Sequence, residues 1–537
     1  ENDSSIAGLA KDSISGIENV LLQVKNLSDD TYWDNEGWVE DSSWIEAFGS
    51  SYWYYQLDKE QLEDGSLYRI FSIAVDSAGN IQSDSTYFDF IFDISGPSKG
   101  WVYDGLSEQD ISWSNNITSI QSRWTGFSDA TSNITSYHVS VGTDSGGADL
   151  IEWTDIGLDT FFIFDQLELD NGLRYFFNVK ASDEINNFSP IATSNGVTID
   201  TSPPVISNVF EGGYNDPSYQ GDTTQILINC MADDDFSGVA SYAFSLGVFE
   251  GDTSISSWKQ NIQDSIYIFD NLSLENSNKY WANALVADSA GNISEVAFGN
   301  GIIIDITGPS VGTSIDLSPI NEVEDQIYTP SDSLIIASWI GFKDSLSGIG
   351  RYEYSITTDD TVLVNWTSTG LDTIMSDSSL ILINGQQYFS HIRAFDEVGN
   401  VSSVITTDGI TADLDGPIGT YVSDGDSVDI DRQNNLVNYN GFWSEFTDQR
   451  SGLLGYEIAL YDTKDSLVIV DWNFTDTDTF FRFENITLLP NHTYELHVLG
   501  IDSVLNKGPI IKSDGVFIDI EAPATPKNLI GKFSSER

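Results

Sequence analysis

An acidic turn that returns five times at nearly constant spacing constrains this chain more than any other feature. The segments are Asp76-Ser-Ala-Gly-Asn80, Asp183-Glu-Ile-Asn-Asn187, Asp288-Ser-Ala-Gly-Asn292, Asp396-Glu-Val-Gly-Asn400 and Asp502-Ser-Val-Leu-Asn506, at steps of 107, 105, 108 and 106 residues. Eight positions before each aspartate stands a tyrosine (Tyr68, Tyr175, Tyr280, Tyr388, Tyr494), and six before each tyrosine a leucine (Leu62, Leu169, Leu274, Leu382, Leu488). Seventeen positions after each turn aspartate stands another (Asp93, Asp200, Asp305, Asp413, Asp519), followed four residues later by proline (Pro97, Pro204, Pro309, Pro417, Pro523). Fixed offsets held through five copies describe an array of modules, each one supersecondary unit. A chain of 537 residues also exceeds what one hydrophobic core serves.

Between the landmarks the pattern is that of strands. Tyr175, Phe177, Val179 and Ala181 alternate onto one face, as do Tyr280, Ala282, Ala284 and Val286. Apolar runs such as Phe161–Phe164 and Ser333–Ala337 are bounded by Gly, Asn, Asp and Ser turns. Convincing helical periodicity is absent. Each module therefore reads as an all-β sandwich of about seven strands.

The residues within each period carry a resemblance. The Leu-x5-Tyr pair resembles the tyrosine corner of fibronectin type III and related immunoglobulin-like domains. The Trp-x-x-Phe-x-Asp runs (Trp124 to Asp129, Trp339 to Asp344, Trp443 to Asp448) look like that family's strand B with its core tryptophan. A second tryptophan stands 22 residues before the tyrosine in four modules (Trp153, Trp258, Trp366, Trp472), and burial in the core is the expectation for these too. The first module departs, with Trp44 placed 24 before Tyr68 and an insert, Tyr32 to Trp38, more like bacterial Ig-like repeats. The resemblance implies five tandem sandwiches forming an extended rod of roughly 150–200 Å, from strands of about 8–10 residues. Short proline-bearing linkers would keep that rod stiff.

The expected modules are 1–95, 96–202, 203–307, 308–415 and 416–521, with 522–537 starting a sixth. Residues 1–11 align with strand B of later modules, so the first lacks strand A, and Pro523 to Leu529 resembles a strand A. Both ends then fall inside modules of a larger polypeptide. Alternatively, the tail of one copy completes the first module of the next by strand donation.

Charge narrows the partners. With 83 acidic against 22 basic residues the formal net charge is −61, a surface that repels nucleic acid and anionic membrane. A single cysteine, Cys230, allows neither a disulfide framework nor a cysteine-based zinc site, and the chain shows no apolar run long enough to span a bilayer. Cys230 lies where other modules carry the strand B tryptophan, which suggests a buried thiol. Catalytic Ser–His–Asp order, phosphate-binding glycine loops and His-x-x-x-His pairs are absent, and the chain is read as no enzyme.

Metal binding suits the recurring aspartates better. In a sandwich of this topology, the Asp76, Asp183, Asp288, Asp396 and Asp502 turns join strands F and G. A further aspartate falls in each B–C turn: Asp12, Asp129, Asp234, Asp344 and Asp448. Both turns share the pole at which the preceding module enters. The expected clusters are Asp93 with Asp129 and Asp183, Asp200 with Asp234 and Asp288, Asp305 with Asp344 and Asp396, and Asp413 with Asp448 and Asp502. Carboxylates ~4 Å apart repel by roughly 1–4 kcal/mol per pair, and a hard cation with six to eight oxygen ligands reverses that sign. Calcium at module junctions is also what the resemblance to extender repeats of giant bacterial adhesins implies. The competing reading is that the aspartates only form turns, and that proline alone stiffens the linkers.

Trp33, Trp38, Trp44 and Trp53 invite a glycan-stacking reading beside a core one. Asp-Ser-aliphatic runs such as Asp264-Ser-Ile resemble the O-glycosylation signal of Bacteroidota secreted proteins, and Asn271 and Asn485 open N-glycosylation sequons. The expectation is an extracellular, cell-surface stalk of an adhesin or filament. Its partners would be further modules of the same polypeptide, with surface glycans or surface proteins beyond them. Alternatives are a surface-layer or fibre subunit, or accessory modules of a secreted hydrolase.

Overall fold

The computed structural model describes residues 5–527, 530 and 531. Contacts sort them into two compact units. The first holds the residues up to Phe210 with Ile228–Tyr267 and Trp281–Asn300; the second holds Glu211–Leu227, Ile268–Tyr280 and the residues from Gly301 onward.

The second module, in the first unit, sets the pattern. Its strands are A (Trp101–Asp104), A′ (Trp113–Ser114), B (Ser119–Thr125), C (Ile134–Gly142), C′ (Ile151–Asp155), E (Phe161–Asp165), F (Arg174–Asp183) and G, the last broken into Ala192–Thr193 and Val197–Ile199. One sheet runs A–B–E, antiparallel throughout; the other runs A′–G–F–C–C′, with A′ parallel to G. Counting A with A′ as one interrupted strand and G as another gives the seven expected. This is the immunoglobulin/fibronectin-III arrangement. Strand A breaks because it must leave the edge of one sheet to reach the edge of the other. Strand G breaks at Gly196, whose φ of +88° favours glycine.

The second unit repeats the plan twice. The fourth module pairs A (Thr313–Leu317) with B (Ile335–Ile340) and E (Ile374–Asp377); the fifth pairs Val422–Asp424, Asn438–Trp443 and Phe480–Glu484. Of the third module, Val239–Gly247 pairs with Ser256–Ile262 in the first unit, and Tyr219–Gln220 runs parallel to Ile302–Ile304 in the second.

The first module has no strand A among the described residues. Ser5–Leu9 is its strand B, paired with E (Tyr52–Gln56), as expected from the alignment. The insert forms a small hairpin, Tyr32 opposite Val39 and Trp33 opposite Trp38, that adds to the core.

Period-two alternation in strand F buries Tyr175, Phe177, Val179 and Ala181, and the residues at the same positions repeat this in the third module. Each large side chain so buried stabilises by roughly 1.5–3 kcal/mol. The strand B tryptophans are core residues and meet a strand C tyrosine at 5.3–5.7 Å between centroids: Trp124–Tyr137 at 5.7 Å, Trp339–Tyr352 at 5.7 Å, Trp443–Tyr456 at 5.3 Å. Cys230 takes that place in the third module, buried, its backbone N–H donating to Ser265 as that of Trp124 does to Thr160. The first, second, fourth and fifth modules each have their own core cluster.

The tyrosine corner is present five times. Tyr68, Tyr175, Tyr280, Tyr388 and Tyr494 each accept, through the hydroxyl, the backbone N–H of the residue five before it, at 2.7, 3.0, 3.0, 2.6 and 2.8 Å.

One expectation is corrected. Trp153, Trp258, Trp366 and Trp472 are not core residues: they lie on the edge strand C′, partly open to solvent, Trp366 and Trp472 at 37%. Cations cover two of them instead, Lys180 Nζ lying 4.6 Å from the Trp153 ring and the Arg393 guanidinium 4.1 Å from that of Trp366. Trp33 is buried, donating its indole N–H to Tyr55 Oη at 2.8 Å, and Trp53 is buried beside it, whereas Trp44 is exposed. Of the segment Pro523–Leu529, residues 523–527 pair with no strand of this chain, and Asn528 and Leu529 lie outside the described residues.

Candidate metal centre

The F–G turn is built by its own aspartate. Asp288 Oδ1 accepts the N–H groups of Gly291 and Asn292 at 2.6 and 2.8 Å, while its Oδ2 accepts the Asn292 side-chain amide at 2.7 Å. Asp183, Asp396 and Asp502 repeat this with Asn187, Asn400 and Asn506, and Asp76 with Asn80. The turn-forming role therefore holds in every module.

The asparagine does more than close the turn. Its amide also donates to the backbone carbonyl of the aspartate that ends the preceding module: Asn292 to Asp200 at 2.8 Å, Asn400 to Asp305 at 2.9 Å, Asn506 to Asp413 at 2.7 Å, and more weakly Asn187 to Asp93 at 3.5 Å. These asparagines were not singled out as site residues, although they recur at a fixed offset of four.

The linker aspartate then turns its side chain to the B–C turn of the next module. Asp200, Asp305 and Asp413 each accept a serine N–H at 3.1 Å, from Ser237, Ser347 and Ser451, and Asp305 also accepts the Ser347 hydroxyl at 2.6 Å. The B–C aspartates are held by their own turns: Gly238, Gly348 and Gly452 donate to Asp234, Asp344 and Asp448 at 2.7, 3.0 and 3.0 Å.

The expected clusters of the later three junctions come together. Asp200 with Asp234 and Asp288, Asp305 with Asp344 and Asp396, and Asp413 with Asp448 and Asp502 each bring one carboxylate oxygen per residue within 4.8 Å of the others. In every case the linker and F–G aspartates are buried. At the first junction Asp93 is buried and receives Asn187, while Asp129 is held by Thr131 and Ser132, both at 2.8 Å.

The donor set fits a hard cation. Asp93 Oδ2, Asp234 Oδ1 and Asp413 Oδ1 are buried without a hydrogen-bond partner. An ionised carboxylate offers about four lone-pair directions, so oxygens that already accept one N–H retain capacity for a metal. Carboxylate and carbonyl oxygens are the ligands calcium prefers. Electrostatics point the same way. In the first module, hydrogen bonds from the Asn80 side chain and backbone hold the Asp76 carboxyl down to about 2. At Asp502 burial pushes the same group up, and the charge of Asp413 adds to that effect. At the last junction the chain supplies a cation of its own: Arg450 Nη1 lies 3.5 Å from Asp415 and 3.9 Å from Asp413.

No protein-family model matches the chain, and no curated protein matches it. Among solved structures it is similar to the FN1–FN3 domains of chicken CNTN1, at 15% identity over 59% of this chain and 100% of that one, with a TM-score of 0.25. It is similar to a 1.5-MDa bacterial ice-binding adhesin at 16% identity over 60% and 99% of the two chains, TM-score 0.34. It is also similar to a tetra-tandem repeat in the extending region of a large adhesion protein, at 12% identity over 78% and 99%, TM-score 0.21. Values this low assign the chain to no family.

Proposed function

We propose that the chain is a non-catalytic extender segment of an extracellular cell-surface adhesin or filament, stiffened by calcium where modules join. The observation that carries this reading is the recurrence of the junction: a buried linker aspartate, an asparagine clamp and two turn aspartates from the following module. Residues repeated at every joint serve the joint, since a catalytic site is needed once. Calcium bound there by Asp305, Asp344 and Asp396, and by their counterparts, would turn mutual repulsion into attraction and resist bending or extension. The net charge of −61 suits an ion-rich exterior, where counterions screen self-repulsion.

Small-angle scattering of the full chain tests this. With calcium the maximum dimension should be long and sharply defined. Chelation at constant ionic strength should broaden and shorten the distance distribution. An unchanged distribution would leave proline and the asparagine clamp as the sole stiffeners and remove calcium from the account.

A further inference from the structure

A second acidic constellation lies inside the modules, on the flank where strand A crosses between sheets. Asp104, Asp316 and Asp424 end or nearly end strand A in the second, fourth and fifth modules, and all three are completely buried. Each carboxylate accepts the N–H of the glycine at the break in strand G: Gly196 at 2.8 Å, Gly409 at 3.0 Å, Gly515 at 2.9 Å. Each residue's own N–H donates to a second aspartate a few positions on, Asp110 at 2.6 Å, Asp325 at 2.9 Å and Asp429 at 3.1 Å.

In the fourth module the arrangement is most complete. Asp316, Asp325 and Asp408 bring one carboxylate oxygen each within 4.8 Å of the others. Asp316 Oδ1 is buried and has no hydrogen-bond partner, a costly state for an ionised oxygen in the interior. Asp325 and Asp408 are exposed and open the cluster to solvent.

The fifth module is a natural control. Asp424, Asp429 and Asp514 occupy the same three positions, but there the Tyr439 hydroxyl donates to Asp424 Oδ1. The residue matching Tyr439 is Ile335 in the fourth module, which can donate nothing. In the second module Asp104 Oδ1 is again without a partner, and Asn195 replaces Asp408.

We infer that Asp316, Asp325 and Asp408 form a binding site for a hard divalent cation such as calcium, seated on the free oxygen of Asp316 and independent of the module junctions. The cation would link strand A to the break in strand G, fastening the edge of the sandwich at which strand A could otherwise peel away.

The test is the number of calcium ions bound per full-length chain by equilibrium dialysis at neutral pH. Asp325 and Asp408 are exposed, so the double variant Asp325→Asn/Asp408→Asn should fold as the parent does, which its circular dichroism spectrum checks. It should bind one ion fewer, and Asp316→Asn should lose the same ion. Asp429→Asn/Asp514→Asn should lose none, because Tyr439 occupies the position that the cation would use. Equal ion counts for the parent and the Asp325→Asn/Asp408→Asn chain would overturn the proposal. So would loss of an ion from the Asp429→Asn/Asp514→Asn chain. Junction variants such as Asp344→Asn report on a separate set of ions, so either site can fail without the other.

Discussion

The side-chain amide of Asn292 reaches the backbone carbonyl of Asp200 at 2.8 Å while it holds the Asp288 carboxylate at 2.7 Å. One planar group with two N–H donors thus ties the end of one module to the F–G turn of the next. The relationship recurs at Asn400 and Asn506. It gives each of these junctions a metal-free fastening on which any cation acts as a second layer.

Replacing Asn400 by alanine removes both donors and strands two acceptors that lie largely out of solvent. The expected cost is about 2 kcal/mol at that junction. Hydrogen exchange of the amides in residues 396–400 should quicken by roughly thirty-fold, while those of the fifth module should not change. Unaltered exchange in the turn would show that the clamp contributes nothing.

Tyr388→Phe deletes the hydroxyl that accepts the N–H of Ile383 at 2.6 Å. A part-buried backbone donor left unpaired should lower the fourth module's stability by about 1–3 kcal/mol, read as an earlier unfolding transition in calorimetry. The same change at Tyr494 should affect only the fifth module, since each corner is internal to its own sandwich.

The sandwich and its period were open to inspection because strand F, the corner tyrosine and the F–G turn are local patterns. Tyr175 to Ala181 alternates within seven residues, and Asp183 bonds within five. A fixed offset shows recurrence but not depth, so it does not distinguish the C′ tryptophans from core ones. Trp366 lies on an edge strand, and only the fold places Arg393 over its ring. Asp104, Asp316 and Asp424 were invisible for a related reason. Asp104 and Asp424 precede glycine, as turn formers do, and the bonds that define all three span more than ninety residues to the break in strand G.

Acid titration should expose Asp424. Burial pushes its carboxyl up to about 6 against an ordinary value of 3.8, despite hydrogen bonds from Ser513, Tyr439 and Gly515, and Asp429 raises it further. A raised folded-state value means that the native state holds the proton more tightly. The resulting stabilisation is full below pH 3.8 and is lost as pH rises through 6. In metal-free buffer, the fifth module should therefore lose about 2 kcal/mol between pH 4 and 7 from this group. Asp424→Asn should flatten that part of the slope. An identical slope in the variant would assign the pH dependence to general charge repulsion.

Cys230 should be chemically silent in the folded chain. It is buried, and desolvation pushes its thiol up to about 12, so almost no thiolate forms at pH 8. A disulfide reagent should react with it only after denaturant is added. Stoichiometric reaction under native conditions would show that the third module opens readily around strand B.

The most direct measurement is the melting profile of the full chain at fixed ionic strength, with calcium and after chelation, compared with the triple variant Asp234→Asn/Asp344→Asn/Asp448→Asn. Calcium should raise the transitions of the parent by several degrees and those of the variant by clearly less, because the variant lacks one carboxylate at each of three junctions while it keeps the cluster around Asp316. Parent transitions insensitive to chelation, or an equal calcium response in both chains, would contradict the claim that acidic side chains of neighbouring modules meet in order to hold an ion.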